Sequence, residues 1–150
     1  MLSTPFLTMC GDYMEWFYPE MSETEVNRIG MLGLAHVGDA VYELLIRSML
    51  CARGPAAVSS LHRSSVSMVK AQAQAEAAKL IFPELHEDEK AVYKRGRNTK
   101  VNSVPHNADI GHYHAATGLE ALFGWLYMQG KIERINEIFS MIMKEKADAL

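Results

Sequence analysis

The sequence predicts an all-α fold, and three observations support this prediction. Helix-forming residues dominate the 150-residue chain, which contains ten methionines besides many alanines and leucines. Runs of alternating Val, Ile and Thr, which are typical of strands, are missing from the sequence. Apolar residues instead recur at helical spacing, most clearly over residues 32–50 and 132–142. We therefore expect several amphipathic helices that pack their apolar faces together.

The first half of the chain is predicted to begin with two helices. Ser22 and Glu25 have the spacing of a capping box, so that a helix begins near Glu23. Residues 32–50 have the apolar spacing of a central amphipathic helix, and Gly54 is the stop signal that follows them. A second face of this central helix carries three charged residues: Asp39, Glu43 and Arg47.

The middle of the chain is predicted to hold one long and one short helix. Residues 64–82 are rich in Ala, Gln, Lys and Glu, and Ser59 or Ser60 is a candidate cap for this helix. Residues 87–95 form a short helix that changes from acidic to basic along its length. Gly96 then opens a polar loop without periodicity.

Two further helices are predicted in the last third of the chain. Residues 115–128 form a nearly uncharged helix, which suggests burial on most sides. Gly130 is its C-terminal stop. Residues 132–142 carry the apolar face of an amphipathic last helix. The sequence shows no internal repeat that would change this order of elements.

Length and composition predict one soluble domain over residues 1–150, with residues 1–21 as an N-terminal extension. The chain is 49% hydrophobic and 22% charged, which suits a globular core without disulfides or a structural metal. No apolar stretch approaches the ~20 residues of a membrane span, and the N-terminus lacks the basic flank of a signal peptide. We therefore expect a cytoplasmic location. Cys10 and Cys51 have no metal-binding spacing and are expected to be free thiols.

Glu120 is the most informative single residue, because it is the only ionisable group in an otherwise uncharged helix. An unpaired buried carboxylate costs several kcal/mol, so that a cation or a strong donor must compensate it. One interpretation is a buried salt bridge to an arginine such as Arg47. The other is a metal ligand or general base, in which case Mg²⁺ suits the carboxylate and a second acid from another helix is needed. Asp39 is the natural candidate for this second acid.

Two other acidic residues have simpler explanations. Glu43 lies one helical turn after Asp39, and Arg47 is placed to pair with it. Glu76 is the sole acid in AQAQAEAAK, where Lys79 is a candidate partner three residues on. Neither spacing alone assigns a catalytic role.

Basic residues cluster in the segment KRGRNTK, at the predicted junction of a helix and a loop. They are Lys94, Arg95, Arg97 and Lys100. Arginine forks suit phosphate oxygens, so that this cluster is a candidate RNA-binding site although the net charge of the chain is -3. The alternative is a solvated cluster balanced by the acidic residues just upstream. Three histidines, His106, His112 and His114, are a poor match to zinc-site spacings.

Taken together, these segments resemble a known family. HVGDAVYELLIR, AQAQAEAAK and ATGLEALFGWLY resemble, in this order, the signature segments of the ribonuclease III catalytic domain. KRGRNTK with the following Asn/Pro loop resembles the short bacterial Mini-ribonuclease III branch, and the resemblance covers roughly residues 30–130. The chain also has no room for the double-stranded-RNA-binding domain that ordinary ribonuclease III carries after its catalytic domain.

The resemblance implies the ribonuclease III helical fold and a homodimer that hydrolyses double-stranded RNA with Mg²⁺, leaving 5′-phosphate ends. Asp39 matches the acidic residue of the family's G-D motif, and Glu120 matches its second catalytic carboxylate, so that both are expected to ligate the metal. Glu76 falls where the family has an acidic residue and is a candidate for a supporting role. The implied substrate is the precursor of large-subunit (23S) ribosomal RNA, with a ribosomal protein as a candidate partner.

The sequence departs from the longer enzymes of the family at two positions. Ala35 stands four residues before Asp39, where Glu is frequent, and Thr117 stands three residues before Glu120, where Asp is frequent. The resemblance therefore implies a metal site with fewer carboxylates, to which Thr117 contributes through its hydroxyl or a bridging water. Two alternatives remain at this point: a non-catalytic RNA-binding scaffold of the same fold, and a helical protein-interaction module.

Overall fold

The computed structural model describes residues 17–101 and 103–148, and these residues form helices without any strand. The all-α prediction is therefore confirmed for this part of the chain. A short 3₁₀ turn, Phe82–Glu84, follows the fourth helix. In chain order the α-helices are α1 (Glu23–Val26), α2 (Met31–Ala52), α3 (Val58–Val69), α4 (Ala71–Ile81), α5 (Glu87–Arg97), α6 (Ile110–Met128) and α7 (Ile132–Asp148).

Helix α6 lies at the centre of the fold and packs against α2, α4, α5 and α7. Its residues between Ala116 and Leu126 are buried with the exception of Glu120. Its uncharged sequence explains this position, because a helix that is apolar all round loses least by being enclosed on every side. The strong burial predicted for residues 115–128 is thereby confirmed.

The crossing of α2 and α6 brings the two backbones into direct contact. A Cβ atom on Gly38 would collide with the carbonyl oxygen of Glu120, and one on Gly124 would collide with the carbonyl oxygen of Leu34. Only glycine leaves room for this approach at both positions. The sequence neighbours of these glycines are therefore fixed with respect to one another, including Asp39 on α2.

Helix α5 is held in place by a second close contact and by an ion pair. A Cβ atom on Gly96 would lie 2.7 Å from the Cβ atom of Ala121 on α6, closer than real carbon contacts allow. At the other end of α5, buried Glu89 accepts hydrogen bonds of 2.8 and 2.9 Å from the guanidinium of Arg134 on α7. Arg134 also donates to the carbonyl oxygen of Glu84. Both ends of α5 are thus anchored to the core.

The structure confirms the predicted start of α1 and the predicted ends of α2 and α6. Ser22 and Glu25 form the capping box, with a backbone donation of 2.8 Å to the Glu25 carboxylate and one of 3.2 Å to the Ser22 hydroxyl. After α2, Gly54 adopts a φ of +125°, and after α6, Gly130 adopts a φ of +72°. Both are left-handed conformations that favour glycine, which explains why each helix ends there.

The predicted helix over residues 64–82 is wrong in its extent. The chain forms two helices instead, which are separated by Lys70 in an extended conformation with ψ of 152°. Helix α3 begins at Val58 after Ala57, so that Ser59 and Ser60 do not cap it. No Gly or Pro marks the break, and it arises because α3 packs on α2 whereas α4 packs on α6.

The predicted loop from Gly96 onwards is also shorter than expected. Helix α5 continues through Gly96 to Arg97, and α6 already begins at Ile110, where the Asp109 side chain accepts from the backbone N–H of His112. Gly96 is retained in the helix because its missing side chain permits the contact with α6. The isolated glycine therefore marks close helix packing rather than a loop.

Some expectations fall on residues 1–16, which lie outside the described residues, as does Cys10. Cys51 is an exposed free thiol, as predicted. Among the described residues, no helix has the length and apolar character needed to cross a membrane. The assignment of residues 1–150 to one domain stays a prediction.

The α2–α6 crossing predicts a large effect of Gly38→Ala. The added methyl group would force the two backbones apart, and we expect the free energy of unfolding to fall by about 2 to 3 kcal/mol. Chemical denaturation of the two proteins measures this difference. Gly33→Ala on the same helix is the matched control, because its Cβ atom would meet only a methyl group of Ile29, at 3.1 Å, and no backbone atom of another helix. Equal stability of Gly38→Ala and the control would contradict the proposed role of the crossing.

Candidate active site

Asp39 and Glu120 are brought together at the α2–α6 crossing. Asp39 directly follows Gly38, and Gly38 lies against the backbone of Glu120. The side chain of Asp39 is exposed, whereas that of Glu120 is half-buried. Burial raises the pKa of Glu120 to about 7, and the negative charge of Asp39 adds to this rise. The pKa of Asp39 is itself raised by partial burial and by Glu43, against the opposing effect of His36. A half-buried carboxylate whose ionisation is disfavoured by burial and by a neighbouring carboxylate is a candidate site for a cation.

Glu120 has no ion-pair partner among the described residues. Arg47 donates to Glu43 at 2.6 and 3.1 Å, as its spacing predicts. The interpretation of Glu120 as half of a buried salt bridge with Arg47 is therefore wrong. Its raised pKa follows directly, because nothing positive in its surroundings compensates the loss of solvent.

Gln74 on α4 is a third side chain at this site, and the sequence analysis missed it. It lies against Glu120 and lowers the pKa of that carboxyl group, in opposition to the larger effects of burial and Asp39. Its side chain is only 1% exposed, and neither amide atom makes a hydrogen bond of good geometry. Helical spacing offered a signal, since Gln74 shares a face with the buried residues Ala77, Ala78 and Ile81.

The two positions where acidic residues are frequent in the longer enzymes are neutral and buried here. Ala35 is buried one turn before Asp39 on α2. Thr117 is buried one turn before Glu120, and its hydroxyl donates to the carbonyl oxygen of Tyr113 at 3.0 Å. The hydroxyl proton is thus engaged, while the oxygen keeps lone pairs for a water or a cation.

Glu76 does not join Asp39 and Glu120. Its side chain is exposed, accepts a hydrogen bond of 3.1 Å from Gln72, and raises the pKa of Lys146 on α7 through its charge. No group of three or more His, Cys, Asp or Glu residues occurs in the part of the chain that the structure describes. Glu76 thus lies on the exposed face of α4, and its supporting role stays a prediction.

The side chains present at the crossing fit a hard divalent cation. They offer two carboxylates and the unpartnered amide oxygen of Gln74, all of them oxygen donors. Mg²⁺ is typically bound through one or two carboxylates and keeps several waters, so that a small donor set suffices. Glu120 supplies a second argument, because a cation is the missing compensation for its buried charge.

The basic cluster lies on the last turn of α5 and just beyond it, and all four side chains are exposed. They are Lys94, Arg95, Arg97 and Lys100. None of them forms an ion pair within residues 17–101 and 103–148. Two of the four upstream acids pair elsewhere, Glu87 with Lys90 and Glu89 with Arg134, and the other two form no ion pair among the described residues. We call these four residues the basic ridge.

The basic ridge belongs to the same helix pair as the carboxylate site. Gly96, which lies between Arg95 and Arg97, packs on Gly118, two residues before Glu120. Lys94 and Arg97 lie over the rings of Phe82 and Tyr93, with 5.6 and 5.8 Å to the ring centroids. These cation–π contacts are made by the charged groups themselves, the Nζ atom of Lys94 and the Cζ atom of Arg97, while both side chains stay exposed.

Comparison with known proteins identifies the class to which this arrangement belongs. Residues 32–131 match the family of ribonuclease III domains, and this range includes both carboxylates, Gln74 and the basic ridge. The class is therefore that of ribonuclease III endonuclease domains.

Individual relatives narrow this class. The chain is 42% identical to Mini-ribonuclease 3 of a Thermoanaerobacter species, over 81% of this chain and 85% of that protein. It is 46% identical to Mini-ribonuclease 3 of Brevibacillus brevis, over 75% and 84% of the two chains. The crystal structure of a Fusobacterium nucleatum protein is similar with a TM-score of 0.73 at 30% identity, covering 81% of this chain and 98% of that one. The chain belongs to the ribonuclease III family, in its Mini-ribonuclease 3 branch, which argues against the interaction-module alternative.

The raised pKa of Glu120 predicts that stability falls as pH rises in the absence of divalent cations. The folded-state pKa of about 7 lies above the ordinary 4.5, so that the unfolded chain loses this proton first. As the pH rises from the lower to the higher of these values, the free energy of unfolding should fall by up to roughly 3 kcal/mol. Glu120→Gln should abolish this dependence on pH. Denaturant unfolding in chelator at several pH values measures both effects. The exposed Glu145→Gln is the control, and a Glu120→Gln protein less stable than wild type at pH 8 would refute the interpretation.

Proposed function

We propose that this chain is a Mg²⁺-dependent endoribonuclease that cleaves double-stranded RNA, with Asp39 and Glu120 as its catalytic carboxylates and metal ligands. The observation that carries the proposal is the carboxylate pair at the α2–α6 crossing, in which Glu120 is half-buried and has no cationic partner in the described structure. Membership in the ribonuclease III family supports the reaction, and the neighbouring basic ridge supports a nucleic-acid substrate.

The two carboxylates have different tasks in this proposal. Glu120 is half-buried and partly protonated near neutral pH, so that it must release its proton before it can hold a cation. Asp39 is exposed and therefore accessible to a substrate. The chemistry that Mg²⁺ supplies when bound at such a pair is a water of lowered pKa and charge neutralisation at the scissile phosphate. Thr117 adds an oxygen that is suited to orient a bound water.

The basic ridge binds and positions the duplex. Lys94, Arg95, Arg97 and Lys100 present unpaired cations on the end of one anchored helix, and such groups bind phosphate oxygens without regard to base sequence. Double-stranded RNA is recognised mostly by its shape and backbone, because its deep major groove is closed to side chains. We therefore expect selectivity for the A-form duplex rather than for a sequence motif.

We further propose that the chain acts as a homodimer, in which each copy cuts one strand. The observation behind this proposal is an apolar groove of about 480 Å³. Residues of α2, of α7 and of the segment before α1 line this groove. Leu44 in this groove is 53% exposed and Tyr18 is 52% exposed, which is unusual for large apolar side chains. A second copy of the chain is the occupant we propose for it.

The cellular assignment rests on the family resemblance. We propose the precursor of large-subunit (23S) ribosomal RNA as the natural substrate, a ribosomal protein as a further partner, and the cytoplasm as the location. An absence of processing defects in cells that lack the protein would contradict the assignment to ribosomal RNA.

Cleavage should require both a duplex substrate and Mg²⁺. The purified protein should cut a long double-stranded RNA in Mg²⁺, leave the matching single strand intact, and be inactive in chelator. Asp39→Asn and Glu120→Gln should each lower the cleavage rate by about 100-fold or more, because each removes a charged ligand of the cation. Gel analysis of end-labelled duplexes measures the rate. Duplex binding without cleavage by the wild-type protein would favour the scaffold alternative.

Loss of two cations from the basic ridge should weaken duplex binding. Arg95→Ala combined with Arg97→Ala should weaken duplex binding at all sequences and reduce the slope of log affinity against log salt by about 1 to 2. Fluorescence anisotropy at several salt concentrations measures the slope. A double variant of two exposed cations on other elements, Arg28→Ala with Lys144→Ala, controls for net charge. An equal slope change in both double variants would exclude a specific role for the ridge.

A further inference from the structure

Gln74 is a buried polar residue for which packing alone gives no account. It is 1% exposed, and both Nε2 and Oε1 lack a hydrogen-bond partner of good geometry. Its neighbours on the inner face of α4, Ala77 and Ala78, are apolar. An apolar side chain at this position would avoid the cost of burying an amide without partners. A buried polar group that lacks partners requires a reason other than stability.

The position of Gln74 supplies that reason. Helix α4 packs directly on α6, and this packing places the Gln74 side chain against the carboxylate of Glu120. The amide of Gln74 carries two N–H donors and an ionised carboxylate only accepts, so that a hydrogen bond between these two side chains runs from Nε2 to a Glu120 oxygen. Glu120 has no other side-chain donor among the described residues, because Thr117 donates to a carbonyl oxygen and Arg47 to Glu43.

Building on the proposed function, we infer that Gln74 is a positioning residue of the active site. It donates from Nε2 to the Glu120 carboxylate and thereby fixes the orientation in which this carboxylate binds a divalent cation. The hydrogen bond reaches good geometry only when Glu120 is ionised and turned towards the cation. Amide and carboxylate partners of metal ligands act in this way, and their loss typically lowers metal affinity by about 10- to 100-fold.

A purely structural role for Gln74 makes a different prediction. If the residue only fills space on α4, Gln74→Leu should keep the affinity for divalent cations, because leucine has a similar volume and packs well against alanines. If Gln74 orients Glu120, the same variant should fold and yet bind the cation more weakly. Metal affinity measured without RNA therefore separates the two roles, which melting temperature alone does not.

The experiment is calorimetric titration of the full chain with Mn²⁺ and with Mg²⁺, in the absence of RNA. We expect Gln74→Leu to bind either ion at least about tenfold more weakly than wild type. Gln72→Leu is the matched control, since Gln72 lies two residues earlier on the same helix with its side chain exposed. We expect Gln72→Leu to bind both ions as wild type does. Wild-type affinity in a folded Gln74→Leu protein would overturn the inference.

A second variant covers the case in which Gln74→Leu does not fold. Gln74→Glu keeps the shape but places a third carboxylate beside Asp39 and Glu120, so that repulsion should lower its melting temperature in chelator. Added Mg²⁺ should then raise that temperature more than it raises the wild-type value. An equal rise in both proteins would count against the position of Gln74 at the cation site.

Failure of the inference and failure of the proposed function give different results. If the wild-type chain binds neither ion and leaves duplex RNA intact, the proposed function falls, and the role of Gln74 falls with it. If the wild-type chain binds the ions and cleaves the duplex while Gln74→Leu does both equally well, only the role of Gln74 is refuted.

Discussion

The contact between the backbones of α2 and α6 is the constraint on which the rest of the structure depends. Gly38 and Gly124 bring the two helices closer than any side chain would permit, and α6 thereby comes to lie at the centre of the fold. The close approach also sets the chemistry, because Asp39 follows one of these glycines directly. A carboxylate from each helix is thus held at one point by main-chain packing, which is more rigid than any arrangement of side chains.

This geometry lowers the stability of the folded chain when both carboxylates are ionised. Glu120 is enclosed by the core and repelled by Asp39, which is why its pKa rises to about 7. The neutral residues Ala35 and Thr117 limit the repulsion, since further carboxylates one turn away would add to it. A site with few carboxylates is therefore easier to fold without a cation, and it must rely on waters and substrate oxygens to complete the shell around one.

The sequence was most informative where one residue broke a strong pattern. Glu120 stood out as the lone charge in an apolar helix, and the structure confirms that this helix is buried along most of its length. The end of α2 at Gly54 followed from turn chemistry, which is local and visible in the sequence. Helix existence and type were predictable for the same reason, because periodicity over many residues reports which face is buried.

The features that the sequence did not reveal depend on contacts between distant segments. The break at Lys70 has no local signal and reflects the different partners of α3 and α4. Helical spacing distinguishes the buried face of Gln74 from the exposed face of Gln72, but its contact with Glu120 depends on the packing of α4 on α6. Glu76 is exposed whereas Gln74 is buried, since a shift of two residues along a helix turns a side chain to the opposite face, and the supporting role of Glu76 stays a prediction.

The electrostatics of α5 show how an acidic chain is able to present a basic surface. The buried carboxylate of Glu89 would have a raised pKa from burial, but Arg134 outweighs this effect and keeps its pKa low. The pair anchors the first turn of α5 and uses up one of its acids, and Lys90 pairs with Glu87. The cations of the last turn are then left without acidic partners, at the helix end where the backbone dipole stabilises positive charge. The affinity for phosphate that we propose for this ridge is therefore set by the local pairing of charges and is independent of the net charge of -3.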